Sequence, residues 1–316
     1  MTNEGKRRLL VIVNPYATTV SDRLKNLVIY ALQGRFEVEV EATDRQEHAI
    51  EIGRDARDGG YDLVVAFGGD GTVNEVVNGL AGTDIPVTFL PGGNTNVVCR
   101  TLGIPNDVVD ATEHLLSLAD DFQPRKIDLG LINDRYFVFS CGAGIDATVV
   151  EKVDANPRLK SKAGPYFYSW HAVSGYFRQY MRDPVQLEVT VDGVVHKGVT
   201  ALTQNSDPFT YFGKQPIHIC ENCEIDDGSL SMVLLKRANQ LDVMSIIPRL
   251  LSTKLSAANH NQVETFEHLM EATVRSLSTD ESGTVREFPV QVDGDYIGRF
   301  EEIALKAAPE ALTIIA

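Results

Sequence analysis

The sequence predicts a doubly wound parallel α/β domain followed by an antiparallel β-sandwich. Three observations predict it. Short apolar runs alternate with stretches of helical apolar spacing as far as about Gln123. Beyond that point strand signals follow one another, with only two helical interruptions. Among them, Asp192-Gly193 between two alternating runs is the strongest short hairpin signal a sequence offers.

The elements follow in order. Leu9–Val13 is a continuous apolar run closed by Asn14-Pro15, the pattern of a strand buried on both faces. Leu24, Leu27, Val28, Ala31 and Leu32 recur at helical spacing, and Phe36–Val40 alternates as a more exposed strand does. Ala49, Ile52 and Ala56 mark a second helix, and Tyr61–Phe67 a second buried strand. Val73–Leu80 reads as helix, Pro86–Leu90 as a third strand, and two helices follow near Asn96–Leu102 and Val108–Leu118. Downstream, Lys126–Leu131 and Arg135–Cys141 flank the hairpin signal Ile132-Asn133-Asp134, while Val185–Val191 and Val194–Thr203 flank Asp192-Gly193. Further strands read at Ser229–Leu235, His268–Leu277, Val285–Val292 and Tyr296–Phe300, with helices around Tyr166–Met181 and Leu241–Leu251. A first domain is expected over 1–124 and a second over 125–300, with 301–316 a C-terminal tail that can pack back on the first.

Lys and Arg number 29 and Asp and Glu 44 in 316 residues, a net charge of −15. That balance excludes nucleic acid as the main partner, because a phosphate backbone needs a basic footprint. Nucleotides remain admissible, since backbone N–H groups and metal ions bind them. No apolar stretch approaches the ~18–20 residues of a membrane span. Leu9–Val13 is shorter than a signal-peptide core of about 7–15 residues, so the chain is expected to stay on the side of the membrane where it is made. Cys99, Cys141, Cys220 and Cys223 are too few for a disulfide scaffold and fit a reducing compartment, so a cytoplasmic location is expected.

The segment Phe67-Gly68-Gly69-Asp70-Gly71-Thr72-Val73-Asn74-Glu75 carries the chemistry. Three glycines leave the carboxyl end of a buried strand and lead straight into a helix, where open parallel sheets bind ligands. Glycine lets the backbone approach a phosphate, and the helix N-terminus offers N–H groups and a favourable dipole. An acid in such a loop repels phosphate unless Mg²⁺ or a substrate hydroxyl lies between, so Asp70 points to metal binding or proton transfer. The loop is neither a Walker A sequence nor a Rossmann fingerprint.

Gly-Gly-Asp-Gly-Thr after a buried strand resembles the diacylglycerol kinase catalytic-domain family, which includes sphingosine and bacterial lipid kinases. NAD kinases and phosphofructokinases use a related Gly-Gly-Asp loop. Further positions favour the lipid kinases: Asn14-Pro15, Thr43, Pro91-Gly92-Gly93-Asn94-Thr95-Asn96 with Arg100, Lys126-Ile127-Asp128-Leu129-Gly130, Gly144-Ile145-Asp146, Asp227-Gly228-Ser229-Leu230 and Val292-Asp293-Gly294-Asp295. The resemblance implies ATP with Mg²⁺. It places the nucleotide on Asn14, Pro15, Thr43, Gly68, Gly69, Gly71, Thr72, Asn74, Gly92, Gly93, Asn94, Thr95 and Asn96, and a metal–water network on Asp70 and Asp128. Arg100 and Asp293 accompany the site, and Asp295 is the base for the acceptor hydroxyl, with Asp70 its rival. Read from the residues alone, Asp293-Gly294-Asp295 is a hairpin turn.

Three departures from the family pattern stand out. Val97 replaces an acid of the second loop, the first loop lacks its usual glycine and lysine, and Asp295 replaces a glutamate. By the same resemblance Asp227, with Glu224 and Ser229, holds a structural Mg²⁺ or Ca²⁺. Zinc on His218, Cys220 and Cys223 is a rival reading that lacks a fourth ligand.

Arg158–Arg182 contains no acid, yet carries five basic and seven aromatic residues, a composition suited to an anionic membrane surface or to a helix packed on the sandwich. The expected function is an ATP-dependent lipid kinase, most simply converting diacylglycerol to phosphatidic acid at the inner membrane face, to which it attaches peripherally. A sphingoid-base or soluble-alcohol kinase and a catalytically inactive nucleotide-binding regulator stay open, as does a homodimer.

Overall fold

The computed structural model describes residues 6–16, 20–145, 147–148, 183–250 and 255–316. The helix expected around Tyr166–Met181, the whole segment Arg158–Arg182, Asp146 and residues 17–19 of the first loop lie outside these. The chain forms two compact units, one of Met1–Leu129 with Pro309–Ala316 and one of Gly130–Ala308.

The first unit is a parallel α/β layer structure. It opens with β1 (Arg8–Val13), buried from Leu9 onward. α1 (Asp22–Gln33) is capped by Ser21, whose hydroxyl oxygen accepts the Leu24 N–H at 3.3 Å. β2 (Glu37–Ala42), rich in alternating glutamates, is exposed along most of its length. There follow α2 (His48–Ala56), β3 (Leu63–Gly68), α3 (Asp70–Leu80), β4 (Val87–Pro91), α4 (Val97–Thr101) and α5 (Val108–Leu118). β3 and β4 are buried at every position, as their unbroken apolar runs dictate. The strands pair in parallel in the order β2-β1-β3-β4. α2 and α3 cross where neither has a side chain: a Cβ on Gly79 would lie 2.8 Å from the Gly53 Cα.

β5 (Arg125–Ile132) carries the chain into the second unit. That unit holds β6 (Arg135–Phe137), β7 (Ser140–Ala143), β8 (Leu187–Val191), β9 (Val194–Gly198), β10 (Thr200–Gln204), β11 (Thr210–Phe212), β12 (Gln215–Ile217) and β13 (Leu230–Leu235). After α6 (Gln240–Leu250) come β14 (Val263–Leu269), β15 (Glu271–Ser276), β16 (Phe288–Val292), β17 (Asp295–Phe300) and β18 (Glu302–Ile314). One antiparallel sheet runs β14-β13-β10-β7-β16-β17 and the other β18-β15-β8-β9. Their inner faces share one core, to which Leu187, Val189, Val274 and Ile303 contribute from one sheet and Met232, Leu234, Phe288 and Val290 from the other. This is a β-sandwich. No described helix is long and apolar enough to cross a membrane.

Four strand expectations are corrected. Arg135–Cys141 is two strands: β6 pairs with β5 and β7 enters the other sheet. Val194–Thr203 likewise divides at Val199 into β9 and β10, which pair in different sheets. Strands that change sheet turn the corners of the sandwich, and a continuous apolar run does not reveal where. His268–Leu277 starts in the last residues of β14, where His268 sits at φ 55°, and continues as β15, and the two strands pair in different sheets. Residues 302–314, read without an element, form the long strand β18, whose end returns to the first unit to pair Ile314 with Val87 in parallel.

Candidate active site

In the first unit the polar residues gather at the carboxyl ends of β1, β3 and β4. Asn14 follows β1; its N–H donates to the Phe67 carbonyl at 3.0 Å, and its side-chain amide donates to Thr72 Oγ1 at 3.0 Å. The loop from β1 is thereby tied to the first turn of α3. Buried Thr43 follows β2 and donates its N–H to the Val13 carbonyl at 2.9 Å. Lys25 of α1, only 5% exposed, donates from Nζ to the Pro15 carbonyl at 2.7 Å.

The β3–α3 turn is built on close backbone approach. A Cβ on Gly68 would sit 2.5 Å from Thr72 Oγ1, and one on Gly93 would sit 2.8 Å from the Gly69 Cα. The two glycine loops are therefore in backbone contact, closed further by the Gly92 N–H donating to the Gly68 carbonyl at 2.8 Å. Gly69 is the N-cap residue of α3, so no side chain of its own covers the N–H groups of that first turn, where Gly71 and Thr72 lie. Asp70 Oδ1 accepts the Val98 N–H at 3.2 Å, which places its carboxylate against the start of α4. That carboxylate adds to burial in pushing the Cys99 thiol upward.

In the second loop Asn96 adopts a left-handed conformation, φ 49°. It closes the loop on itself: Oδ1 accepts the Gly93 N–H at 2.9 Å, and Nδ2 donates to the Gly93 carbonyl and to Asn106 Oδ1, both at 2.8 Å. Asn94 is exposed and Thr95 half-buried, while Arg100 lies on α4. Asn74 is buried inside α3, where its carbonyl accepts from Asn78 Nδ2 at 2.9 Å. Asp128 lies on β5, buried, accepting the Glu310 N–H at 2.8 Å. Val97, where the family pattern has an acid, is a buried apolar residue at the start of α4.

Sequence reasoning passed over Lys25, Asn106 and the part played by Glu75. The Glu75 carboxylate accepts the N–H groups of Glu47 and Ala49 at 3.0 and 3.1 Å, so α3 caps α2 from outside. A glutamate one turn into a helix gives no sign of a partner in another helix. A lysine between apolar helical positions at Lys25 was the more readable clue.

In the second unit Asp293-Gly294 is a tight turn between β16 and β17, with φ 50° and 84° and with Val292 paired to Asp295. Asp293 is 3% exposed. Its Oδ2 accepts the Val138 N–H at 2.8 Å, and its Oδ1 accepts those of Phe139 and Ser140 at 2.9 and 3.0 Å. Asp293 thus fixes the corner where the chain leaves β6 for β7. Asp295 follows, half-buried, as the first residue of β17. Around Asp227 the chain makes a turn in which Oδ1 accepts from Ser229 N and Oγ, both at 2.8 Å, and Oδ2 accepts the Glu224 N–H at 3.1 Å. His218 bonds Asp207, and burial pushes the Cys220 thiol well up and that of Cys223 to about 12.

Among the described residues no three His, Cys, Asp or Glu side chains gather as a ready-made metal site. That arrangement still fits Mg²⁺, which binds through one or two carboxylates plus substrate phosphates and keeps several waters. Asp70 stands beside the two glycine loops, where a Cβ on Gly93 would lie 2.8 Å from the Gly69 Cα.

Two glycine loops in backbone contact at the end of a parallel sheet, followed in the chain by an antiparallel sandwich, define the two-domain glycine-loop class of kinase. Residues 8–132 match the diacylglycerol kinase catalytic domain, and residues 140–316 match the YegS C-terminal NAD kinase beta sandwich-like domain. The chain belongs to the diacylglycerol kinase catalytic-domain family, whose members phosphorylate an alcohol acceptor. It is 27% identical over 280 residues to a diacylglycerol kinase of Staphylococcus haemolyticus (strain JCSC1435), covering 87% of this chain and 78% of that one. It is likewise 27% identical over 302 residues to a diacylglycerol kinase of Staphylococcus aureus (strain bovine RF122 / ET3-1), covering 93% and 88%. The crystal structure of a diacylglycerol kinase from Bacillus anthracis str. Sterne shares the fold, with a TM-score of 0.70 at 21% identity over 98% of this chain and 96% of that one.

Proposed function

We propose that this chain transfers the γ-phosphoryl group of ATP to a lipid hydroxyl, most simply converting diacylglycerol to phosphatidic acid. The observation that carries the reading is the backbone contact between Gly69 and Gly93 at the mouth of β3 and β4, with Asp70 at the start of α3. N–H groups of the first turn of α3 receive the phosphates, and Asn14, Thr72 and Asn96 hold the two loops in shape. Mg²⁺, when bound, neutralises phosphate charge, and Asp70 is the residue that would hold it, with Asp128 a further acid of that network. Asp295 takes the proton of the acceptor hydroxyl, on a turn that Asp293 holds in place. Phosphoryl transfer asks mainly for positioning and charge stabilisation, which suits a base shortened from glutamate to aspartate.

The acceptor is met at a membrane surface, a reading supported by the basic and aromatic sequence of Arg158–Arg182. The exposed Asp227 carboxylate, with oxygens of Glu224 and Ser229, offers the donor set of a hard cation such as Mg²⁺ or Ca²⁺. The test is incubation with labelled ATP and Mg²⁺ in mixed micelles of candidate lipids, followed by lipid extraction. Labelled phosphatidic acid is expected from diacylglycerol. Nucleotide binding without label in any lipid overturns the reading in favour of a regulator.

A further inference from the structure

The strand order β2-β1-β3-β4 sends the chain one way along the sheet from β1 to β2 and the opposite way from β3 to β4. Right-handed crossovers then put α1 and α3 on opposite faces, and the helices pair accordingly, α1 with α5 and α2 with α3. Such a switch point opens a crevice outside the carboxyl ends of β1 and β3. Asn14 and Pro15 form one lip of it and Gly68–Thr72 the other, tied by the Asn14 Nδ2 bond to Thr72 Oγ1 at 3.0 Å.

Lys25 belongs to the buried face of α1, in line with Val28 and Leu32. A helical side chain leans toward its own helix N-terminus, which for α1 is the end beside the carboxyl end of β1. The residue is 5% exposed, the only basic residue so enclosed among the described ones. Its Nζ donates to the Pro15 carbonyl at 2.7 Å, and no second acceptor lies within hydrogen-bond distance among the described residues. Asp22 Oδ1 is 3.6 Å away on a side chain 92% exposed, too far to accept and screened by water. An ammonium carries three N–H donors, so two are left unmet where burying a charge is costly. A neutral donor would peg Pro15 at a lower cost.

We infer that Lys25 is a phosphate-binding residue, its remaining donors meeting oxygens of the nucleotide's polyphosphate in the crevice between β1 and β3. This rests on the ATP reading above. The N–H groups of the first turn of α3 approach the polyphosphate from one lip, and the Lys25 charge approaches it from the other. A charged donor on a phosphate oxygen is worth about thirtyfold in affinity.

The experiment is calorimetric titration of the full chain with ATP and Mg²⁺, and separately with adenosine, which has the base and sugar but no phosphate. Lys25→Met keeps the length and the apolar stem. It is expected to bind ATP about thirtyfold more weakly and adenosine as the wild type does. Lys25→Gln is neutral yet still able to donate toward Pro15, and it should lose as much ATP affinity. Unchanged ATP affinity in Lys25→Met, or an equal loss for ATP and adenosine, overturns the inference. So does recovery in Lys25→Gln, which would make Lys25 a peg for the loop. A wild-type chain that binds ATP but phosphorylates no lipid overturns the lipid-kinase reading and leaves this test standing. One that binds no ATP overturns both.

Discussion

Asp70 and Asp293 occupy turns that look alike in the sequence, each an aspartate beside glycine at the end of a buried strand, yet the fold uses them in opposite ways. Around Asp70 the glycines bring two backbones together, and the carboxylate lies half-buried at the start of a helix whose N-cap has no side chain. Around Asp293 the carboxylate is sealed and accepts three backbone N–H groups from the corner between β6 and β7. The first turn sets its acid against the start of α4, through the Val98 N–H. The second spends its acid on the corner of the sandwich, and in the proposed mechanism it is Asp295, two residues on, that meets the acceptor. What separates the two aspartates is their donors, one backbone N–H from α4 for Asp70 and three from the β6–β7 corner for Asp293, and those come from distant parts of the chain.

The largest effect that could break this contrast is on turnover. Asp70→Asn preserves shape and an oxygen to accept the Val98 N–H, but removes the charge that would hold a cation. Lipid phosphorylation should fall at least about a hundredfold. The urea midpoint should move by no more than the equivalent of about 0.5 kcal/mol. Undiminished turnover would mean that Asp70, like Asp293, serves the fold.

Asp293→Ala should show the reverse pattern. Three buried N–H groups lose their acceptor together, and leaving a buried donor unmet costs about 1–3 kcal/mol. Water entering the gap recovers part of that, so a loss of about 3 kcal/mol in urea unfolding is expected. Turnover per folded molecule should fall less than in Asp70→Asn. A variant as stable as the wild type would erase the distinction between the two turns.

The sequence revealed the first turn more fully than the second. A continuous apolar strand, three glycines and a following helical repeat are local signals, and β3, the loop and α3 stand where those signals put them. Asp192-Gly193 was equally legible, since both residues take the positive φ values, 49° and 76°, that such a turn requires. The burial of Asp293 was not legible, because its donors lie 153–155 residues away. The same separation hid the division of Arg135–Cys141, an unbroken run whose corner is made by Asp293 rather than by its own residues. β18 was hidden by Pro309 and by Glu310 at φ 52°, which interrupt its alternation where the chain passes from one unit to the other.

The smallest expected effect sharpens the comparison from behind the glycine loop. Glu47 opens α2 at φ 64°, a left-handed conformation that costs a residue with a Cβ about 1 kcal/mol. Its own side chain does not cap the helix; the N–H groups of Glu47 and Ala49 are met instead by Glu75, one turn beyond Asp70 on α3. Glu47→Gly relieves the strain and leaves both of those backbone donors in place. The added freedom of the unfolded chain offsets part of the relief, so a net gain of about 0.5 kcal/mol is expected in urea unfolding. Glu47→Ala keeps the Cβ and the strain, so it should show no such gain. Equal gains from both variants would assign the effect to the lost charge beside Glu75, and the geometry of the α2 N-terminus would then carry no stored cost.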